Sequence, residues 1–265
     1  MSTAAQFSGI VPATYDEILG PVLFEPYARD VVSRLPAGIG LRVLEIACGT
    51  GIVTRRLADA LAGRATIVAT DLNEPMVDYA RRAVPSPGIT WRQADAESLP
   101  FADGSQDVVV CQFGYMFLPD KVQGFRESRR VLASGGTLIA NVWTSLDANP
   151  FARAMHDALA VAFPDDPPRF LETPYGYTED RVRRDMDAAG WEDVSYETLE
   201  FEIPCPSAAH FARGFSHGSP LTHELTARGA DLDEMTEMLA RAIAPVGGER
   251  PFTAKLSAFV ITATR

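Results

Sequence analysis

The stretch Val43-Leu44-Glu45-Ile46-Ala47-Cys48-Gly49-Thr50-Gly51-Ile52-Val53-Thr54 constrains this chain more than any other. An apolar run of strand type ends on two glycines one residue apart and passes straight into a helical pattern. Such a turn needs glycine where a side chain would clash, and it offers the free N–H groups of a helix N-terminus to a polar ligand. Glu45 lies inside the apolar run. A carboxylate at the end of a first strand repels a pyrophosphate but pairs with a ligand ammonium, directly or through water.

The same alternation continues to Trp143. LRVLEIA, ATIVATD, ITWRQAD, DVVVCQFG and TLIANVW have the character of strands, with helices over GIVTRRLADAL, MVDYARRAV and KVQGFRESRRVL. Asn73 is placed to cap the second helix with Pro75 in its first turn, and Ser134-Gly135-Gly136 to end the third. Strands alternating with helices through short turns specify a parallel sheet covered on both faces, a doubly wound α/β domain.

The flanks are less regular. TYDEILGPVLFEPYARDVVSRL predicts N-terminal helices interrupted near Gly20-Pro21. Beyond Trp143, NPFARAMHDALAVAF predicts a helix, residues 164–174 a Pro-rich loop, TEDRVRRDMDAAG a helix and WEDVSYETLEFEI a long strand. Residues 207–244 are mostly helical in pattern, and FTAKLSAFVITATR closes as a strand that pairs with the preceding one as a hairpin. At 265 residues one elaborated core is expected: an N-terminal helical segment over 1–40 and a domain over 41–265, with cap insertions near 149–177 and 205–249.

Composition removes several function classes. A net charge of -11 with no Lys/Arg block argues against a nucleic-acid polymer as partner and leaves small molecules as the leading substrate class. No run of about 18 apolar residues is present to span a membrane. The opening MSTAAQFSG lacks the features of a signal peptide, so a cytoplasmic location is expected. Cys48, Cys111 and Cys205 suggest neither a disulfide framework nor a CxxC metal site, and no metal is expected.

Two further motifs describe the ligand. Asp71, in ATDLNEPM, lies 20 residues beyond Gly51, where an acid takes both hydroxyls of a ribose, and Leu72 and Met76 offer apolar contact to a flat base. In RQADAESLPF, Asp95 is placed to accept from an exocyclic amine and the Ala96 N–H to meet a ring nitrogen. Adenine, ribose and an amino-acid tail satisfy all three motifs. A GxGxxG dinucleotide fingerprint does not fit, because Thr54 stands at the third glycine position.

VLEIACGTG, ATDLNEPM, RQADAESLPF and DVVVCQFGYMFLPD, in that order, resemble the class I S-adenosylmethionine-dependent methyltransferases, in particular the small-molecule group that includes the ubiquinone/menaquinone-biosynthesis enzymes. The resemblance spans roughly residues 41–145. It implies an α/β, Rossmann-like seven-stranded sheet with a reversed last strand and helices on both faces, to which the flanking patterns add an N-terminal helical segment and a small helical cap. It also implies S-adenosylmethionine as cofactor and S-adenosylhomocysteine as product. By position, Ala47, Gly49 and Gly51 meet the methionine part, Asp71 the ribose, Leu72 and Met76 the adenine, Asp95 and Ala96 the adenine edge, and Gln112 and Phe113 the region of the reactive methyl. Ala47 departs from the commoner glycine.

The expected reaction is methyl transfer to a small-molecule acceptor by in-line displacement. The alternatives are an NAD(P)-linked oxidoreductase, or a non-catalytic cofactor-binding protein of the same fold. Methyl transfer from a sulfonium requires positioning more than a fixed triad, so the catalytic residues stay unassigned. His156, His210, His217 and His223 are the available histidine bases for a hydroxyl acceptor. Tyr15, Tyr115 and Trp143 are the candidates for substrate contact. Pairing of two copies as a homodimer is left open.

Overall fold

The computed structural model describes residues 11–265. Seven strands form one sheet: β1 (Leu41–Ile46), β2 (Ala65–Asp71), β3 (Ile89–Gln93), β4 (Gln106–Gln112), β5 (Leu132–Trp143), β6 (Asp193–Cys205) and β7 (Phe252–Thr264). Their order is β3-β2-β1-β4-β5-β7-β6. β1 pairs in parallel with both β2 and β4, so the winding reverses between β1 and β4. In open α/β sheets, ligands bind at the strands' carboxyl ends beside such a reversal. β7 runs antiparallel to both of its neighbours, β5 and β6.

Consecutive residues of a strand point to opposite faces, and Val43 and Leu44 on β1, like Val108, Val109 and Val110 on β4, are all buried. Both faces of the central sheet are therefore covered, which is why these strands are unbroken apolar runs. The helices in chain order are α1 (Val11–Thr14), α2 (Glu25–Ser33), α3 (Ile52–Leu61), α4 (Glu74–Ala83), α5 (Lys121–Val131), α6 (Pro150–Ala162), α7 (Glu172–Tyr175), α8 (Glu179–Ala188), α9 (Ala208–Gly218), α10 (Leu221–Ala227) and α11 (Leu232–Gly247).

Three local expectations are corrected. The N-terminal helices are not interrupted at Gly20-Pro21; a π-helical segment, Tyr15–Phe24, joins α1 to α2, and the Glu25 N–H reaches back to the Gly20 carbonyl. A widened turn accommodates the proline that a regular α-helix excludes. Ser134-Gly135-Gly136 does not end a helix: α5 stops at Val131 and the glycines lie inside β5, where the pairing with β4 is irregular. The 164–174 stretch carries the start of a helical turn, α7.

The last two strands pair along their whole length, and the chain between them forms α9, α10 and α11. α11 packs on α9 and α6, and α9 lies on the N-terminal π segment. That approach depends on glycine. A Cβ on Gly214 would lie 2.5 Å from Leu19 Cδ2, and one on Gly218 would lie 3.0 Å from Thr14 Cγ2.

Candidate active site

The turn after β1 is held from several sides. The Cys48 N–H donates to the Thr70 carbonyl (2.9 Å), the Gly51 N–H to the Cys48 carbonyl (2.9 Å) and the Gly49 N–H to Asp71 Oδ2 (3.0 Å). Gly49 and Gly51 both adopt the left-handed region, with φ of 54° and 87°, for different reasons. A Cβ on Gly51 would lie 3.0 Å from Val84 Cγ2 and 3.2 Å from Ala80 Cβ, whereas nothing lies within 4 Å of one on Gly49. Gly51 is needed for packing, and Gly49 keeps a surface clear. Ala47 is also left-handed, at φ 56°, where its methyl costs about 1 kcal/mol relative to glycine.

Gly49 opens onto a cavity of about 210 Å³ at the carboxyl ends of β1, β2 and β4. Glu45, Ala47, Gly49, Asp71, Leu72, Met76, Asp95, Ala96, Gln112 and Phe113 line it; Gly51 stands behind the turn. The lining carries four carboxylates, those of Glu45, Asp71, Asp95 and Glu97, and no lysine, arginine or histidine.

Glu45 is buried, with Oε2 accepting from the Thr54 hydroxyl at 2.6 Å. Burial pushes its carboxyl up to about 8, against the pull of that hydrogen bond. Asp71 accepts from the Gly49 N–H and from the Asn73 backbone N–H (2.8 Å) and side-chain amide (3.3 Å). Its burial raises the pKa, and these donors oppose the rise. Gln112 donates to the Phe24 carbonyl (3.1 Å), while its Oε1 is buried without a partner. Asp95 Oδ1 accepts from the Glu97 N–H at 2.8 Å.

The N-terminal segment forms the roof. Tyr15 and Phe24 stack at 4.8 Å and both line the cavity. Asp16 latches them down, accepting from the Thr50 hydroxyl (2.9 Å) at the start of α3 and from the Tyr79 hydroxyl (3.3 Å) on α4. Glu25 adds an ion pair with Arg56.

The two other aromatic candidates sit elsewhere. Tyr115 is fully buried, its hydroxyl 2.6 Å from Ser128 Oγ and its ring stacked on Phe125 at 4.1 Å, because the 3-10 turn Tyr115–Phe117 aims it at α5. Trp143 lies behind Phe113, stacked on it at 3.9 Å and 9°. Neither lines the cavity. Phe113 has φ 56°, held there by its N–H, which donates to the Asn141 carbonyl (3.0 Å) and to Asn141 Oδ1 (3.1 Å).

None of the four histidines lines the cavity either. Phe24 and Phe117, aromatics that the sequence favours as packing residues over pocket lining, do line it; Thr50 and Glu97 line it too, and sequence reasoning did not place them there. No local pattern announces Thr50, whose hydroxyl pairs with Asp16 across 34 positions.

Similarity to known proteins gives the family. Residues 44–140 match the family model described as "Methyltransferase domain". The demethylmenaquinone methyltransferase of Renibacterium salmoninarum is 30% identical over 210 residues, covering 74% of this chain and 86% of that protein. The ubiquinone/menaquinone biosynthesis C-methyltransferase of Ectopseudomonas mendocina is 29% identical, covering 71% and 81%. A crystal structure from Bacillus halodurans C-125, described as a methyltransferase, superposes with a TM-score of 0.61 at 17% identity, covering 89% of this chain and 97% of that one, and supports the fold. The chain belongs to the class I S-adenosylmethionine-dependent methyltransferases of the ubiquinone/menaquinone type. It is an enzyme that transfers a methyl group from S-adenosylmethionine to a small-molecule acceptor, and nothing found supports the nicotinamide or non-catalytic alternatives.

The residues present fit that cofactor. An acid buried without a cationic partner, a second acid beside it and an orphaned amide oxygen form an acceptor-rich cradle, suited to a ligand that brings an ammonium, a sulfonium and hydroxyl donors. Among the described residues no group of side chains is arranged to hold a metal ion, and no helix is long and apolar enough to cross a membrane.

Proposed function

We propose that the cavity between β1, β2 and β4 is the cofactor site and that an apolar, electron-rich ring compound is methylated at its mouth. One observation carries the cofactor assignment: a cleft lined by four carboxylates and no cation, with Glu45 fully desolvated inside it. A pyrophosphate would meet repulsion there, whereas a cationic ligand completes the electrostatics.

In this reading Glu45 faces the ligand ammonium, Gly49 leaves room for the methionine part, and Asp71 takes the ribose hydroxyls. Leu72 and Met76 sandwich the adenine, Asp95 and Ala96 meet its edge, and Gln112 Oε1 accepts from the amino-acid tail. Gly51 supports the turn. The 41–265 domain carries the site, and the N-terminal segment with the insertions near 149–177 and 205–249 acts as a cap in a cytoplasmic enzyme.

When bound, the cofactor supplies a methyl group already activated for displacement. The protein's task is to exclude water and to hold the acceptor in line at about 3 to 3.5 Å. Phe113, fixed by Asn141 and backed by Trp143, gives a rigid wall for that purpose, and Tyr15 and Phe24 close the roof. The mouth residues Phe117, Leu118 and Pro119 are apolar, and with no histidine in the lining the acceptor must be nucleophilic without one. The relatives' names point to quinone compounds, whose reduced hydroquinone form, unlike the electron-poor quinone itself, is of that chemical type.

Thermal unfolding with S-adenosylhomocysteine, S-adenosylmethionine, NADH and NADPH in parallel tests the site. A ligand at about 100 times its dissociation constant adds roughly 2.7 kcal/mol, a rise of about 2 to 4 °C per kcal/mol for a chain of this size. A shift with the two adenosyl-sulfur ligands alone supports the reading; a shift with a nicotinamide cofactor, or with none, sinks it.

A further inference from the structure

On the other side of Pro119 lies a second cavity of about 620 Å³, open to solvent. It runs between the start of α5 on one side and α7 with α8 on the other, and Pro119 lines both cavities. Lys121, Arg181 and Arg184 line it, three cations in a chain of net charge -11.

Their partners are unusual. Lys121 Nζ donates to the Leu118 carbonyl at 2.8 Å and lies 5.2 Å from the centre of the Tyr177 ring, and Arg181 gives one N–H to the Gly176 carbonyl at 3.3 Å. Arg184 makes no hydrogen bond among the described residues, and none of the three is in an ion pair there. Arg183, on the same helix, contrasts with them: it pairs with Glu179 at 2.5 Å and lies 4.0 Å over the Tyr196 ring.

Three carboxylates, Asp120, Glu172 and Asp185, share the groove, and their short contacts run to other groups than these cations. Asp120 caps α5 by accepting from the Gln123 N–H (2.9 Å), Asp185 accepts from the Tyr177 hydroxyl (2.7 Å), and Glu172 lies 3.7 Å from His156 and 3.9 Å from Arg169. Lys121 is half-buried, and that burial lowers its pKa. Asp185 and Glu97 attract this ammonium without touching it, so its partly dehydrated head lacks a contacting counter-ion, which an anion in the groove supplies. Arg181 and Arg184, three positions apart on α8, share a helix face and present planar forks suited to carboxylate or phosphate oxygens.

We propose, building on the cofactor reading above, that this groove holds an anionic group of the methyl acceptor, a carboxylate or phosphate, on Lys121, Arg181 and Arg184. The acceptor is then a small molecule with an apolar reacting end, lying past Pro119 against Phe117 and Leu118, and a negative group at the other end. The groove selects among ring compounds that the apolar mouth alone would not distinguish.

The test is calorimetric titration of the protein saturated with S-adenosylhomocysteine, using phenyl phosphate, inorganic phosphate and phenol as probes. Wild type is compared with the double variant R181Q/R184Q and with K121Q. The two arginines are exposed, so their replacement leaves the fold intact. Phenyl phosphate is expected to bind wild type more tightly than inorganic phosphate or phenol, and at least about tenfold more weakly to either variant. S-adenosylhomocysteine affinity is expected to stay the same in the arginine double variant.

Equal phenyl phosphate binding by wild type and variants, or none by wild type that still binds S-adenosylhomocysteine, overturns the groove and leaves the cofactor reading standing. Tighter binding of inorganic phosphate than of phenyl phosphate makes this a free-anion site and overturns its assignment to the acceptor. Failure of wild type to bind S-adenosylhomocysteine overturns the cofactor reading instead.

Discussion

The Gly49 N–H donates to Asp71 Oδ2 at 3.0 Å, joining the glycine turn after β1 to the acid that ends β2. One carboxylate thus shapes the loop and faces the cavity, so its removal has two separable effects.

Asp71→Ala is expected to weaken S-adenosylhomocysteine binding by about 1.5 to 3 kcal/mol, the range for hydrogen bonds to a charged group. It also leaves the Gly49 and Asn73 N–H groups without their acceptor, so the unfolding midpoint of the ligand-free protein falls as well. Calorimetric titration reads the first effect and thermal unfolding the second; an unchanged affinity in a folded variant refutes the ribose assignment.

Glu45 predicts a proton linkage. Its carboxyl rises from 4.5 to about 8 on folding, so between those values the folded protein keeps a proton that the unfolded chain has lost. The stability from this group is therefore fully present below about 4.5 and is lost as pH rises through about 8. Glu45→Gln should flatten that part of the stability profile. A ligand ammonium reverses the preference, so cofactor binding at neutral pH should expel a proton and tighten as pH rises towards 8. Titration in two buffers of different ionisation enthalpy measures the released proton, which should vanish in Glu45→Gln.

The two turn glycines should fail differently. Gly51→Ala meets Val84 and Ala80 and should lower stability by about 1 to 3 kcal/mol. Gly49→Ala meets no protein atom, so beyond about 1 kcal/mol of backbone strain its methyl acts on the ligand. Paired melting and binding curves should show the larger stability loss at Gly51 and the larger ratio of affinity loss to stability loss at Gly49.

The roof can be lifted from a distance. Gly214→Val places side-chain atoms where Leu19 and Ile18 now lie, displacing the π segment that carries Tyr15 and Phe24. Protease cleavage within residues 11–24 should accelerate and S-adenosylhomocysteine affinity should fall, while far-UV circular dichroism changes little. Unchanged cleavage and affinity would show that the segment does not roof the site.

Much of this was legible locally. Glu45 and Asp71 end strands whose apolar runs fix their register, so both carboxylates reach the cavity wherever the flanks lie. The fates of Tyr115 and Trp143 were not legible, because they turn on a left-handed Phe113 that Asn141 imposes from the neighbouring strand. Nothing in Gln-Phe-Gly-Tyr announces that conformation, which is uncommon for a bulky residue. Gly20-Pro21 misled for a related reason: the pair usually breaks a helix, and here the turn widens around it.

The placement of β7 sets an order on synthesis. β6 is complete at Cys205, yet its neighbour in the sheet does not begin until Phe252, and β5 waits for the same strand. A chain emerging from the ribosome therefore holds a parallel sheet with β5 as a bare edge and β6 unplaced, through the making of three helices. An unpaired edge is a template for other chains. Until β7 follows at Phe252, β5 keeps that open edge, and pairing of β7 on both sides is what closes it.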